Sequence, residues 1–142
     1  MQIGADEYRF YQATGHNKDG LFIFNQTKEI LIAGDYLSNI EFPYIYDSLK
    51  DYKQTLSKFE DIITQQSIKI LITGHGDYTM DSNEMVKRIE ESRAYIAELE
   101  HSIIEKIPFN EVDLYTRYKF PIIMNEFHQN NIKLVKTELG IK

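Results

Sequence analysis

The sequence predicts an α/β fold in which a sheet carries helices on at least one face. Short apolar segments rich in β-branched and aromatic residues, typical of strands, occupy much of the first half of the chain. Longer segments with apolar residues at every third or fourth position, typical of amphipathic helices, dominate the second half. The order of three strands, a helix, a fourth strand and further helices indicates one α/β domain over residues 1–142.

Four segments are predicted to be strands. Residues 7–13 are rich in aromatic side chains, and residues 21–24 and 29–33 form a predicted hairpin around the polar turn at 25–28. Residues 68–73 form the fourth strand. Because the last three strands are nearly continuous apolar runs, without alternation, we expect them to be buried on both faces of the sheet.

Two long helices are predicted in the middle of the chain. The first begins near Pro43, a residue favoured in a first helical turn, and runs to about Gln66. The second begins at Asp81, which precedes Glu84 at the spacing of a capping box, and ends before Pro108. The two apolar stripes are Leu49, Tyr52, Leu56, Phe59 and Ile63, and then Met85, Ile89, Ile96, Leu99, Ile103 and Ile107.

Two further helices are predicted near the C-terminus. Residues 110–113 offer the cap of a short helix that runs to about Tyr118. The final helix runs from near Ile122 to Leu139 and ends at Gly140, a usual helix stop. These helices complete the predicted α/β layout.

Composition excludes several classes of protein. No apolar stretch approaches the roughly 20 residues of a membrane helix, and the N-terminal residues lack the features of a signal peptide, so we expect a cytoplasmic protein without membrane partners. A net charge of −6 with scattered basic residues argues against nucleic acid as a partner. The chain has no cysteine, so any transition metal must be bound by His, Asp or Glu, a set that suits zinc, iron or manganese.

Three predicted strands end in a glycine-containing turn that carries a potential metal ligand. His16 lies in the turn T-G-H-N-K-D-G, Asp35 directly follows a glycine, and His75 lies between two glycines. Each residue alone could be an ordinary solvated or self-capping turn residue. Because all three follow a strand, we predict that they project toward one rim of the sheet and form a site.

The same three turns resemble the later ligand motifs of the metallo-β-lactamase superfamily. There the pattern is T-x-G-H-T-x-G, then a strand that ends in G-D, then G-H-G. This chain has T-G-H-N-K-D-G at 14–20, I-A-G-D at 32–35 and T-G-H-G-D at 73–77. The following helix, with R-I-E-E-S-R-A-Y at 88–95, also resembles hydrolases of the family, and the similarity extends over about residues 7–107.

The resemblance implies metal-dependent hydrolysis of a small-molecule ester, thioester, lactone or phosphodiester. By the family pattern, His16 binds the first of two zinc ions, Asp35 bridges both ions as the catalytic carboxylate, and His75 binds the second. In such centres two ions about 3.5–4 Å apart clamp the hydroxide that attacks the substrate. An aspartate at position 35, where the best-known β-lactamases have cysteine, points away from antibiotic hydrolysis.

The chain departs from the family pattern in one large respect. The motif H-x-H-x-D-H would lie upstream of His16, and the fifteen residues there contain no histidine. The resemblance therefore implies a single truncated domain, the C-terminal half of a metallo-β-lactamase-like αββα sandwich. We expect partial or no zinc occupancy and weak or no hydrolysis. A non-catalytic remnant or interaction module is the alternative, as is a half-enzyme completed by another chain.

The same resemblance predicts a partner. In the full sandwich two sheets face each other, and each half supplies one sheet. Without the other half, alternate residues of 21–24, 30–33 and 68–72 would form a bare apolar sheet face. Large patches of this kind are uncommon on soluble monomers, so we expect a twofold homodimer through the exposed sheet face.

The two remaining histidines lie on predicted helices. His101 lies off the apolar stripe between Glu98 and Glu105, which predicts an exposed ion-pair partner. His128 is predicted to lie on the polar face of the final helix. The alternative for His128 is a substrate pocket, because C-terminal helices overhang the active site in related hydrolases.

Overall fold

The computed structural model of the protein consists of a mixed sheet and four helices. It describes residues 1–141, except for the side chain of Asp113. The strands are β1 (Gln2–Ile3), β2 (Asp6–Gln12), β3 (Leu21–Asn25), β4 (Ile30–Ile32) and β5 (Ile70–Ile72). The helices are α1 (Leu49–Gln65), α2 (Ser82–Glu105), α3 (Glu111–Arg117) and α4 (Pro121–Glu138). Among the described residues, no helix has the length and apolar content needed to cross a membrane. The predicted α/β class is confirmed.

The pairing of the strands brings three strand ends to one edge of the sheet. The strands lie in the order β1-β2-β3-β4-β5, antiparallel except for the parallel pair β4 and β5, which α1 connects. Ile32 pairs with Ile23 on one side and with Ile72 on the other. Gln12, the last residue of β2, pairs with Leu21, the first residue of β3. We call the edge at which β2, β4 and β5 all end the upper edge of the sheet.

The helices cover one face of the sheet and leave the other open. Phe22, Phe24, Leu31 and Leu71 point toward the helices, and none is more than 2% exposed. Their neighbours on the opposite face are open, with Leu21 56% exposed. The prediction of burial on both faces is therefore wrong for this chain. The continuous apolar runs correspond to two apolar faces, of which α1 and α2 cover one.

The apolar stripes of the two long helices form the core with the covered sheet face. Phe59 of α1 packs on Phe22 with the ring centres 4.3 Å apart, and Tyr52 packs on Tyr36 at 4.5 Å. The predicted stripe residues are buried except Ile63, which is half-buried, and Ile107, which is exposed.

Helix α1 begins at Leu49, so the prediction of a start near Pro43 is wrong. The Ser48 side chain caps the helix by accepting a hydrogen bond from the backbone N–H of Asp51 at 3.2 Å. Upstream of this cap the chain is irregular because Asn131 of α4 binds it. The Asn131 amide donates to the Pro43 carbonyl at 2.7 Å and accepts from the Ile45 N–H at 2.8 Å.

The other helix ends lie close to their predicted positions. Asp81 caps α2 and accepts a hydrogen bond from the Asn83 N–H at 2.9 Å. Lys106 ends the helix in the left-handed conformation, two residues before Pro108. Helices α3 and α4 begin and end within one residue of the predicted bounds.

His128 is fully buried, so the prediction of a polar helix face is wrong, and it does not line the cleft described below. The Tyr95 hydroxyl accepts a hydrogen bond from the Asn131 amide. It also lies 2.9 Å from Nδ1 of His128, to which it donates a hydrogen bond. Nδ1 is then unprotonated and the imidazole neutral. Burial lowers the pKa of His128. His101 is exposed as predicted, but no carboxylate among the described residues lies within ion-pair distance.

We expect the burial of His128 to make the protein less stable in mild acid. The folded state binds a proton at His128 less readily than the unfolded state, whose pKa is near 6.5. Stability is therefore full above that pH and falls as the pH drops below it, by up to about 1.4 kcal/mol per pH unit. Urea unfolding between about pH 7 and pH 5 measures this slope.

His128→Phe removes the titrating group, so the difference in unfolding free energy between the wild type and this variant should shrink as the pH falls. His101→Phe, at an exposed position of α2, is the matched control and should show no such change. A wild-type advantage over His128→Phe that is constant from pH 7 to 5 would contradict the expectation.

Asn131→Ala should destabilise the protein by about 3 kcal/mol, because it leaves buried groups of Pro43, Ile45 and Tyr95 without their partner. Asn130→Ala is the control on the same helix. The Asn130 amide makes one long contact of 3.4 Å to the Tyr44 hydroxyl, so its removal should cost no more than about 0.5 kcal/mol. Equal losses in the two variants, measured by chemical unfolding, would show that the Asn131 contacts are not specific.

Candidate metal centre

The structure brings the three predicted ligand residues together at the upper edge of the sheet. His16 follows β2, Asp35 follows β4 and His75 follows β5. Nε2 of His16 lies 3.3 Å from one carboxylate oxygen of Asp35, and Nε2 of His75 lies 3.4 Å from the other. Asp35 thus presents one oxygen to each imidazole.

The three side chains form two pairs that share a carboxylate. In the part of the chain that the structure describes, no three His, Asp or Glu side chains are arranged to hold one ion. The pair His16–Asp35 is the less exposed one, with 20% of the His16 side chain accessible against 56% of His75. Asp35 is therefore shared by two imidazole–carboxylate pairs, one on each side of its carboxylate.

A hydrogen bond to the backbone sets the tautomer of His16. Its Nδ1 lies 2.8 Å from the carbonyl oxygen of Tyr44, which can only accept, so Nδ1 carries a proton. In the neutral ring, Nε2 then directs a lone pair at a negatively charged oxygen of Asp35. That contact is favourable only with a proton or a metal cation between the two atoms. Backbone carbonyls orient metal-binding histidines in the same way.

The distances around Asp35 fit a zinc ion bound to nitrogen and oxygen. Two donors that each lie about 2.0–2.1 Å from a tetrahedral zinc are about 3.3 Å apart. Both imidazole–carboxylate distances are close to this value. Imidazole with carboxylate also suits iron and manganese. The described residues would offer two donors to each position, so the other coordination sites of a bound ion would be open.

Hydrogen bonds from the buried Tyr36 and a close contact with α1 hold the loop that carries His16. The Tyr36 hydroxyl donates to the Thr14 carbonyl at 2.7 Å and accepts from the His16 N–H at 3.0 Å. Burial raises the pKa of Tyr36 to about 12, so the hydroxyl keeps the proton that it donates. Gly15 passes so close to α1 that a Cβ there would lie 2.2 Å from the backbone nitrogen of Tyr52. Only glycine fits at this contact.

Gly74 allows the other two loops to meet. Its N–H donates to the Gly34 carbonyl at 2.7 Å, which joins the turn after β5 to the turn after β4. A Cβ on Gly74 would lie 2.6 Å from Oδ1 of Asp35, the oxygen that faces His75. A side chain at position 74 would therefore displace the carboxylate.

Arg88 is a residue of the site that the sequence analysis did not single out. It is 3% exposed, and its Nη1 donates to the carbonyls of Leu37 at 3.3 Å and of Asp77 at 2.8 Å. Arg88 therefore ties the loop that carries Asp35 to the loop that carries His75. Its position three residues after Met85, within the apolar stripe of α2, was the available signal, because an arginine there has to find buried acceptors.

Asn39 and Asp77 form a second tie between the same two loops. The Asn39 amide donates to the Asp77 carboxylate at 3.1 Å and accepts from the Asp77 N–H at 2.9 Å. Both loops are thus held by paired hydrogen bonds as well as by Arg88, and this fixes the separation of Asp35 from His75.

A cleft of about 250 Å³ opens beside the three ligand candidates. Tyr44 and Phe127 form an aromatic wall, with their rings stacked 4.1 Å apart at 7°. Glu41 is the further charged side chain among the lining residues. A small molecule in this cleft would contact both imidazoles and the aromatic wall.

Sequence comparisons leave the family open. No protein-family model matches the chain, and no curated protein matches it significantly. Similarity to known proteins is found instead among solved structures.

The chain is similar to solved structures of metallo-β-lactamase proteins. One is a metallo-β-lactamase family protein from Thermus thermophilus, with a TM-score of 0.60 and 17% identity over 94% of this chain and 46% of that one. Another is a β-lactamase domain protein from Burkholderia ambifaria, with a TM-score of 0.62 and 19% identity over 99% of this chain and 44% of that one. A double mutant of a sec-alkyl sulfatase matches at a TM-score of 0.56 and 11% identity, over 96% of this chain and 24% of that one.

The matches cover nearly all of this chain and less than half of each solved protein. At identities below 20% they establish the fold and leave activity open. They confirm the predicted fold class. The chain has a metallo-β-lactamase fold, of which it spans about half.

Proposed function

We propose that this chain is the C-terminal half of a metal-dependent hydrolase of the metallo-β-lactamase superfamily. His16 and Asp35 would hold one zinc ion, and Asp35 and His75 a second. The observation that carries the proposal is the position of the Asp35 carboxylate, with one oxygen directed at each imidazole. The fold and the donor types support the same assignment.

The residues of the chain have separate tasks in this proposal. Zinc, when bound, acts as a Lewis acid and brings the pKa of a bound water toward neutrality. Asp35 holds the two cation positions next to each other, and Tyr44 orients His16 through its carbonyl. The cleft places an ester, thioester, lactone or phosphodiester beside them. Because the described residues supply only two donors to each ion, we expect weak zinc binding and slow hydrolysis.

A non-catalytic interaction module is the second candidate function. The observation that favours it is the arrangement of donors as two pairs, with no three of them on one ion among the described residues. The third candidate, a half-enzyme whose missing ligands come from another chain, fits the coverage of less than half of each matched structure. Zinc affinity and turnover separate these candidates.

Asp35→Asn should weaken zinc binding by at least about tenfold, because it removes the negative charge shared by both positions. Isothermal titration of the metal-free protein with zinc measures the affinity, which we expect to be micromolar or weaker for the wild type. Asp61→Asn, at an exposed position of α1, is the matched control and should bind zinc as the wild type does.

Turnover gives the second readout of the same variants. With saturating zinc, the wild type should hydrolyse an activated aryl ester or phosphodiester slowly, and Asp35→Asn should lose that activity. Zinc affinity that is unchanged in Asp35→Asn would refute the assignment of the site. Asp35-dependent zinc binding without Asp35-dependent turnover would favour the non-catalytic module.

Arg88→Lys should weaken zinc binding by about tenfold. In Arg88 the guanidinium binds Glu84 through Nε at 3.1 Å while its Nη1 binds the Leu37 and Asp77 carbonyls. Lysine keeps the charge but has a single ammonium group in place of this planar fork, so it cannot make the three contacts in the same geometry. Arg93→Lys makes the same change on the same helix, where Arg93 pairs with Glu60 away from the site, and should leave zinc affinity unchanged. Thermal unfolding of both variants checks that they fold, and equal zinc affinities would show that Arg88 does not position the ligands.

A further inference from the structure

The uncovered face of the sheet is a continuous apolar surface. The strand pairing places Phe10, Ile23, Ile32 and Ile72 in one row across β2, β3, β4 and β5. The neighbouring rows extend the surface at both ends. The apolar residues of this open sheet face are Ile3, Tyr8, Phe10, Leu21, Ile23, Ile30, Ile32, Ile70 and Ile72.

The open sheet face exposes several large apolar side chains. Leu21 is 56% exposed and Phe10 45%, and Ile32 and Ile72 are each 38% exposed. With its less exposed members, the face presents on the order of 500 Å² of apolar surface, at the upper end of what soluble monomers show.

The charge on this face favours contact with an identical surface. Asp6 is the charged residue that the strand register places on it, at the end remote from the upper edge. Its carboxylate is already paired with Lys28 at 2.9 Å and accepts a hydrogen bond from Asn25 at 3.2 Å. The centre of the face carries no charge, so two copies can meet there without repulsion and without desolvating an unpaired charge.

General packing rules indicate what kind of surface covers such a face. The matched structures contain more than twice the length that aligns with this chain. A sheet face of this size is usually covered by a second layer of secondary structure, and another sheet packs on it at about 10 Å with strands within about 30°. A second copy of this chain offers a sheet of the same width and the same apolar character.

We propose that the open sheet face binds the open sheet face of a second copy, in a twofold dimer. A standard interface buries about 800 Å² on each partner, and the apolar face would form its centre with the exposed polar residue Gln12 at the rim. The dimer contact includes none of the candidate metal ligands, so it does not depend on the proposed hydrolase function.

Sedimentation velocity of the metal-free chain across a range of micromolar concentrations tests the dimer. The wild type should sediment as a dimer that dissociates on dilution. Phe10→Lys and Leu21→Lys should each raise the dissociation constant by about a hundredfold or more, because every substitution occurs twice in a twofold interface. Both residues are so exposed that the monomer should keep its fold, which circular dichroism checks.

Ile104→Lys is the matched control, since Ile104 is 52% exposed on α2, away from the open sheet face. It should leave the dimer intact. A wild-type chain that stays monomeric at every concentration would overturn the proposal, and strong binding of an apolar dye by that monomer would point to a different chain as the cover. A dimer that survives Phe10→Lys and Leu21→Lys, or that Ile104→Lys abolishes, would place the interface elsewhere and overturn it as well.

Discussion

The position of the Asp35 carboxylate between two imidazoles is the constraint on which the candidate site depends. Three features of the structure produce it. Strands β4 and β5 are parallel and end level with each other, so that the residues after Ile32 and Ile72 lie side by side. Gly74 has no side chain to displace the carboxylate. Arg88 holds the two following loops together through their carbonyl groups. A carboxylate placed in this way needs a proton or a metal cation between it and each imidazole, and this is the observation on which the proposed metal centre rests.

Buried polar groups on the helices connect the core to that centre. Asn131 of α4 holds the irregular segment around Pro43 and Ile45, and the carbonyl of Tyr44 in this segment orients His16. Asn131 also binds the Tyr95 hydroxyl, which in turn binds His128. Because unpaired polar groups are costly in the interior, such a network favours a single arrangement of the helix, the segment and the histidine. The helices therefore do more than cover the sheet, since they determine where a ligand points.

The two faces of the sheet have the same composition and different environments. Phe22, Leu31 and Leu71 are buried under α1 and α2, while Leu21, Ile32 and Ile72 on the other face are open. An apolar strand shows that a cover is needed on both sides, but it does not specify which element or which chain provides it. In this protein the candidate ligands lie at the upper edge of the sheet and the open face consists of strand residues, so no residue belongs to both.

Local patterns in the sequence determined the α/β class, most helix ends and the three candidate ligands. Periodicity identifies buried stripes, a cap such as Asp81 starts a helix through its own neighbours, and a glycine turn after a strand directs the next side chain to the sheet edge. Tertiary structure decided the start of α1, the burial of His128 and the role of Arg88. Each of these depends on a partner distant in sequence, as Asn131 is 88 residues from Pro43 and Arg88 is 51 residues from Leu37. No local pattern encodes such a partner, because a buried hydrogen bond forms only after the chain has brought both groups together.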